Sequence, residues 1–399
     1  MKVLHVIPGV SERSGGPAQA IFPMCRALCE RGVEVLVATT DAQLTPEKVR
    51  MQTPTEYKGV STIFFPTQWG DSFKFSQPMS VWLDKNVNAF DLVHIHAVFN
   101  HSSLTAARAC RKNDVPYIVR PLGTLDPWSM QRKRIIKTAF WFVTGKRMMQ
   151  EAAAVHYTTK AEMLAVENSL SLNHGAVVPL GIEVGNYVAS SRNTEPPEDR
   201  YVLVMSRLHP KKGLEVLIDA FVEVVRFSEF STWQLVLAGD GAVDYVSSLK
   251  RKAKATDAGR SIHFPGWLDG KDKQAFLRRA SLLVLPSFQE NFGLCVLEAL
   301  SNGTPVLVSP HVNLAETIVA AGAGWIADVN KDALAKTLKE ALSSESELTK
   351  RGQAGEELSK LFGWPQIAVE LVSLYQRIVS ERLIPSSVSL GNSSAAPVS

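Results

Sequence analysis

Short apolar runs alternate with amphipathic stretches along most of the chain. Residues 2–8, KVLHVIP, are almost wholly apolar and end in Pro, the pattern of a parallel strand buried on both faces. A loop from Gly9 to Gly16 follows. Pro17 suits a first helical turn, and apolar spacing then continues to Arg31, where Gly32 ends the helix. Residues 33–39 read as the next strand. Strand, loop, helix, strand is a βαβ unit, the building block of a doubly wound sheet. The pattern recurs, with strands predicted over 62–65, 91–96, 116–120, 154–158 and 176–179 and helices over 103–113, 131–153 and 160–170.

Between Gly181 and Arg200 the periodicity stops. SSRNTEPPED is polar and proline-containing, so residues 183–199 are expected to be a linker. The βα alternation restarts at Tyr201, with a helix over 214–227 and a strand over 233–238, and runs on to Ala327. Two successive parallel α/β domains, 1–182 and 200–363, fit this better than one sheet. GWPQIAVELVSLYQRIV predicts a last amphipathic helix, and residues 384–399 read as a disordered tail.

Composition narrows the picture. A chain of 399 residues is too long for one ordinary core, which agrees with two domains. With 45% apolar residues, 21% charged and a net charge of +4, it is an ordinary globular composition and not that of a nucleic-acid binder. The four cysteines, Cys25, Cys29, Cys110 and Cys295, make no zinc-like pairs, so no metal site is expected. Cys25 and Cys29 share a helix face and read as buried thiols in a reducing compartment. MKVLHVIPGV lacks the features of a signal peptide, and no apolar run approaches the roughly 20 residues of a spanning helix, so a cytoplasmic location is expected.

The candidate chemistry lies in the loops after strands. Residues 282–305, LLVLPSFQENFGLCVLEALSNGTP, hold two glutamates separated by seven residues. Glu298, among Val296, Leu297, Ala299 and Leu300, is expected on a helix buried on most sides. An unpaired carboxylate is costly there, and ligand hydroxyls are a candidate partner. SRLHPKKG follows the first strand of the second domain. Arg207 offers a bidentate fork and Lys212 a point charge, a combination that suits a diphosphate, although a solvated basic loop would look alike. AGDG (Gly239, Gly241) and FPGW (Trp267) follow later strands and either expose amides to a flat base or are plain turns. Near the start, Ser14-Gly15-Gly16-Pro17 joins strand to helix, where two glycines allow close backbone approach and a helix N-terminus favours anions. The G-x-G-x-x-G spacing of a nicotinamide site is missing.

The succession SRLHPKKG, AGDG, HFPGWL and LPSFQENFGLCVLEALSNGTPVL resembles the nucleotide-sugar domain of family 4 of the retaining glycosyltransferases, enzymes of the GT-B fold. The GG loop, DLVHIHAVF and RPLGTLDPW resemble that family's acceptor domain, and the likeness extends to about residue 380. It implies two Rossmann-like domains facing across a cleft, with the last helix, 364–382, crossing back onto the first. Arg207 and Lys212 would then hold the donor diphosphate and stabilise the leaving group without a metal or other cofactor. Glu290 would face the donor sugar, and the amides of Asn291, Phe292, Gly293 and Leu294 would bind its hydroxyls and phosphate. Glu298 would bind the ribose, Trp267 and Leu268 would meet the base, and Gly15 and Gly16 would approach the diphosphate. Where many members carry His-Gly, with the His on the donor sugar, this chain has Leu122-Gly123.

Three further residues are candidate acceptor or sugar contacts: Gly123, His96 at a strand end, and Asp126 in the LDPW turn. A structural histidine and a helix cap are the plainer readings of the last two. Residues 131–149 carry Arg132, Lys133, Arg134, Lys137, Lys146 and Arg147 interleaved with Phe140, Trp141 and Phe142. This is the composition of a helix lying on the anionic inner membrane surface, and also of a domain helix with a basic outer face. The expected activity is transfer of a sugar from a nucleotide sugar to a lipid-linked or oligosaccharide acceptor, as in surface polysaccharide or lipopolysaccharide assembly. A nucleotide-sugar epimerase of the same architecture and a non-catalytic nucleotide-sugar binder are the alternatives.

Overall fold

The computed structural model describes residues 1–11, 15–44, 50–70, 73–125, 137–138, 140–183 and 194–383. Asp126, Ser14, the tail 384–399 and much of the predicted linker lie outside the described residues.

Two sheets organise the chain. The first holds β1 (Lys2–Ile7), β2 (Glu34–Thr40), β3 (Thr55–Tyr57), β4 (Val60–Phe65), β5 (Leu92–His96), β6 (Tyr117–Arg120), β7 (Ala154–Tyr157) and β8 (Gly175–Val177), in the order β3-β4-β2-β1-β5-β6-β7-β8. The second holds β9 (Tyr201–Met205), β10 (Gln234–Ala238), β11 (Ile262–Gly266), β12 (Leu282–Leu285), β13 (Val306–Val308) and β14 (Gly324–Ile326), in the order β11-β10-β9-β12-β13-β14. Every strand pair is parallel except β3–β4. Five of the six residues of β1, and all of β5, β6, β9 and β12, are buried, because helices cover both faces.

This strand order decides where a ligand can lie. In each sheet the chain winds outward one way and then returns to wind the other, so the order reverses between β1 and β5 and between β9 and β12. At such a point adjacent loops diverge and leave a crevice at the carboxyl ends of the strands. The loops after β1, β9 and β12 are the glycine loop, SRLHPKKG and PSFQENFG.

The last helix (Trp364–Leu383) packs along the first (Gly16–Glu30) and joins the two halves. Ile182 bridges to Gly363, and Arg31 Nη2 donates to the Pro365 carbonyl at 3.3 Å. One hydrophobic core runs from Val3, Phe22 and Leu28 through Ile367, Leu371 and Ile378 to Leu283 and Leu297. Separate cores fill the other face of each sheet.

Beneath Tyr375 of the last helix lies a buried polar layer. Parallel register sets His5 opposite His94 and His96 opposite Arg120. His94 Nδ1 meets the Tyr375 hydroxyl at 2.7 Å, His5 Nδ1 and His96 Nε2 are 3.1 Å apart, and His156 bonds both His94 and the Val178 carbonyl. Burial first, then the Arg120 guanidinium, pushes His5 and His156 from 6.5 down to about 3. Between about pH 3 and 6.5 the unfolded chain therefore binds protons that the folded chain refuses, so stability rises with pH across that window. Thermal melts should show Tm falling as pH is lowered from 7 to 4. A Tm unchanged over that range would contradict neutral buried histidines.

Several sequence expectations need correction. Cys25 is buried, but Cys29 is exposed, because the last turn of its helix leaves the core. The strand expected over 62–65 is β4, whereas its antiparallel partner β3 and the helix Gln77–Asn86, started by a Ser76 cap on Met79, carry no strong apolar period and escape the sequence reading. Residues 131–136 and 139 lie outside the described residues. The rest of that predicted helix includes a π-helical turn, Trp141–Gly145, then Lys146–Gln150. The wider turn buries Trp141 while presenting Phe142 and Val143, 72% and 78% exposed, beside Lys146 and Arg147.

Candidate active site

The second sheet's crevice is built by two loops locked together. After β9, the Gly213 backbone at φ +64° passes so close to the Pro286 carbonyl that no side chain fits there. Phe288 N donates to the Lys211 carbonyl at 2.9 Å. These contacts deliver Lys212 to Glu290, and the two side chains form an ion pair, only 13% and 18% exposed. From the other side, Glu290 N donates to His311 O at 2.9 Å and Asn313 N to Glu290 O at 3.1 Å, so the glutamate is held on a short bridge to Val312.

Burial alone would raise the Glu290 pKa. Lys212, by charge and hydrogen bond, with Lys211 and Arg207 adding to it, outweighs that and holds it below the ordinary value. Glu290 is therefore an anion at neutral pH, unsuited to deliver a proton. Cys295, half-buried nearby, is pushed up to about 12, chiefly by desolvation, and stays a thiol. The resulting geometry is a carboxylate inside a field of three cations, which leaves net positive charge for an anionic ligand.

The other charged member of the stretch behaves differently from expectation. Glu298 is half-buried, not buried on most sides, and its Oε1 pairs with Lys273 Nζ at 2.6 Å. The carboxylate thus has a partner within the protein, where ligand hydroxyls were the candidate. Lys273 escaped the sequence reading because it lies on another helix, Gly270–Arg279, and carries no motif.

The glycines of AGDG also have a different reason from a ligand. Gly239, at φ +139°, lies against the Ser206 carbonyl, and Gly241 bridges to Leu208. They let the loop after β10 pack backbone-to-backbone against the loop that carries Arg207. Leu268 is buried, Trp267 is half-buried, and Phe292 is buried in the core near Phe362. Gly293, at φ +79°, starts the helix Leu294–Leu300.

The first domain meets this site directly. A Cβ on Gly15 would sit 3.7 Å from Arg207 Nε, and one on Gly16 would sit 3.3 Å from the Leu294 side chain. Gly15 at φ +93° thus forms the floor under the guanidinium. Leu122 and Gly123 adopt consecutive left-handed conformations, φ +59° and +67°, with Gly123 pressed against Asn291. Glu162, 3% exposed, fixes this turn: it accepts from Gly123 N, Thr158 N and Thr158 Oγ1, each at 2.9 Å. Thr158 Oγ1 in turn accepts from Asn291 Nδ2 at 3.1 Å, tying the two domains. His96 belongs elsewhere. It is 1% exposed and engaged with His5 in the layer under the last helix, so it does not line the crevice.

This joint gives a test. A methyl at Gly123 would lie 2.8 Å from Asn291 Cβ, so Gly123→Ala should obstruct closure of the two domains. We expect a loss of at least about tenfold in kcat, or ~1.4 kcal/mol, with nucleotide affinity changed little. Steady-state kinetics beside nucleotide titration would separate the two, and an unchanged kcat would exclude a role for this contact.

Comparison with known proteins agrees with this geometry. The pattern "Glycosyl transferases group 1" matches residues 189–358, and "Glycosyl transferase 4-like domain" matches residues 15–181. Mannosylfructose-phosphate synthase of Agrobacterium fabrum is 25% identical over 228 residues, 54% of this chain and 50% of that one. The chain thus spans about half the length of the first relatives it matches. GDP-mannose:cellobiosyl-diphosphopolyprenol alpha-mannosyltransferase of Komagataeibacter xylinus is 22% identical over 96% of this chain and 95% of its own. The solved structure of sucrose-phosphate synthase from Thermosynechococcus elongatus superposes with a TM-score of 0.77 at 20% identity, covering 95% of this chain and 99% of that one. Two winding sheets with facing switch points, and sequence patterns matched on both sides of the crevice, place this chain in family 4 of the GT-B glycosyltransferases.

Proposed function

We propose that this glycosyltransferase moves a hexosyl group from a nucleoside diphosphate sugar to an acceptor hydroxyl with retention of anomeric configuration. The observation that carries the reading is the Lys212–Glu290 pair at the second sheet's switch point, beside Arg207 and under Gly15. Arg207 and Lys212 would bind the diphosphate and neutralise the charge that grows on it as the glycosidic bond breaks. The diphosphate oxygen, carrying that charge, would take the acceptor proton on the same face, so no side-chain base is required and Leu122 is tolerated. Two fixed cations would do the work of a divalent metal, and we expect a chelator to leave transfer unchanged.

Glu290 would then exchange part of its bond to Lys212 for a hydroxyl of the donor sugar. The amides from Asn291 to Leu294 would meet the sugar and phosphate, Glu298 with Lys273 the ribose, and the turn at Trp267 and Leu268 the base. Gly16 and Gly123 would border the sugar from the acceptor side. A lipid-linked saccharide is the acceptor we favour, as in surface polysaccharide assembly, and the relative named for a diphosphopolyprenol acceptor supports it. Phe142 and Val143, exposed beside Lys146 and Arg147, would rest on the anionic membrane face. Among the described residues no helix is long and apolar enough to cross a membrane.

A thermal-shift panel of UDP-, GDP- and ADP-sugars tests the donor site. At one hundred times Kd, binding stabilises by about 2.7 kcal/mol, which a melt resolves. No shift with any of them would remove the donor-site assignment. Consumption of the sugar nucleotide without acceptor would instead indicate epimerisation.

A further inference from the structure

On the acceptor side of the crevice stands Lys74, a cation that no acid pairs with among the described residues. Lys74 lies in a hairpin after β4, where Trp69 bridges to Phe75, Gln68 N donates to Phe75 O at 2.8 Å and Phe75 N to Trp69 O at 3.0 Å. The hairpin is fastened at its base, where His101 N donates to the Phe73 carbonyl and the His101 ring packs 4.4 Å from that of Phe75. Within it Lys74 is held at φ +53°, an unfavourable conformation for a residue with a side chain. The consequence is a definite direction for the side chain. Its Nζ lies 2.6 Å from where a Cβ of Gly9 would be, over the loop that leaves β1 at the first sheet's switch point.

Among the described residues no acid pairs with Lys74 and no hydrogen-bond acceptor takes its protons, while burial alone lowers its pKa. A half-buried ammonium without a partner is costly unless its open side meets water or an anion. Gly9 has no side chain, and the ammonium occupies the place a Cβ would take, so the loop after β1 backs the ammonium on that side. The other end of the same loop, Gly15, lies under Arg207. One loop therefore connects the cation of the donor side to the cation of the acceptor side. Trp69, 59% exposed and stacked on Phe75 with ring centroids 4.7 Å apart, offers a flat apolar face on the same hairpin.

We propose that Lys74 reads an anionic group, phosphate or carboxylate, on the acceptor saccharide, with Trp69 as the face for a sugar ring. This rests on the transferase reading above, and it adds the acceptor's charge. An acceptor saccharide bearing such a group must come from a preceding phosphoryl transfer or sugar oxidation.

The test uses the protein saturated with UDP, GDP or ADP, whichever binds, so that the Arg207 and Lys212 site is filled. Calorimetry then compares glucose, glucose 6-phosphate, glucuronate and inorganic phosphate, on the wild type and on Lys74→Ala and Lys74→Arg. We expect at least one anion to bind tenfold or more tightly than glucose, with the preference lost in Lys74→Ala and partly kept in Lys74→Arg. Phosphate against glucuronate decides which anion is read. Nucleotide affinity, read in the same titrations, reports whether each variant keeps its fold. If nucleotide binds and no anion shows Lys74-dependent affinity, the inference is overturned. If none of UDP, GDP and ADP binds the wild type, the donor-site reading fails and this one fails with it.

Discussion

Lys212→Ala will lower kcat by roughly 10²–10³-fold, the cost of removing one preorganised charge from a transition state. The loss should fall on kcat more than on KM, because the charge it meets grows as the bond breaks. A second effect follows from the pair itself. Without Lys212, burial raises the Glu290 pKa against weaker opposition from Lys211 and Arg207, so the carboxylate is partly stranded. Breaking a buried pair on one side costs about 3 kcal/mol. The double variant with Glu290→Gln should recover stability but not activity, since the amide needs no counter-charge. Chemical denaturation and steady-state kinetics on the single and double variants measure both. If Lys212→Ala keeps wild-type kcat, the leaving-group assignment is wrong.

Gly239→Ala should be the most damaging single methyl in the donor half. Its Cβ would overlap the Ser206 carbonyl, which belongs to rigid backbone, and its φ of +139° is one that alanine adopts only under strain. Overpacking and strain together cost about 3 kcal/mol or more. Because Ser206 precedes Arg207, relief by backbone movement would also displace the guanidinium from Gly15. We therefore expect a lower denaturation midpoint and weaker nucleotide binding together. Gly322→Ala is the control, since nothing lies within 4 Å of its Cβ position and only the φ of +68° is unfavourable.

The fold was legible because the central parallel strands are buried on both faces and leave unbroken apolar runs, as in KVLHVIP and LLVLP. What escaped has little apolar period: the edge strand β3 and the helix Gln77–Asn86. Within the site, the partnership of Lys212 and Glu290 crosses 78 residues, and the sequence holds both members without stating that they meet. Lys273 and Thr158 were invisible for the same reason. Each is an ordinary polar residue on a helix or strand end, selected only by what the other half of the chain brings to it. His96 misled for the opposite reason, since its place at a strand end suggested exposure, whereas His5 and His94, beneath the last helix, enclose it.

That covering helix has a consequence for how the molecule is made. Tyr375 completes the first sheet's interior, yet it lies beyond the whole donor half in the chain. In topological terms the donor half is an insertion into the acceptor half. During synthesis the acceptor half must wait, its histidines and Arg120 uncovered, until the helix Trp364–Leu383 has left the ribosome. The donor half, contiguous from Tyr201 to Phe362, can close earlier. The chain that emerges first is the one finished last.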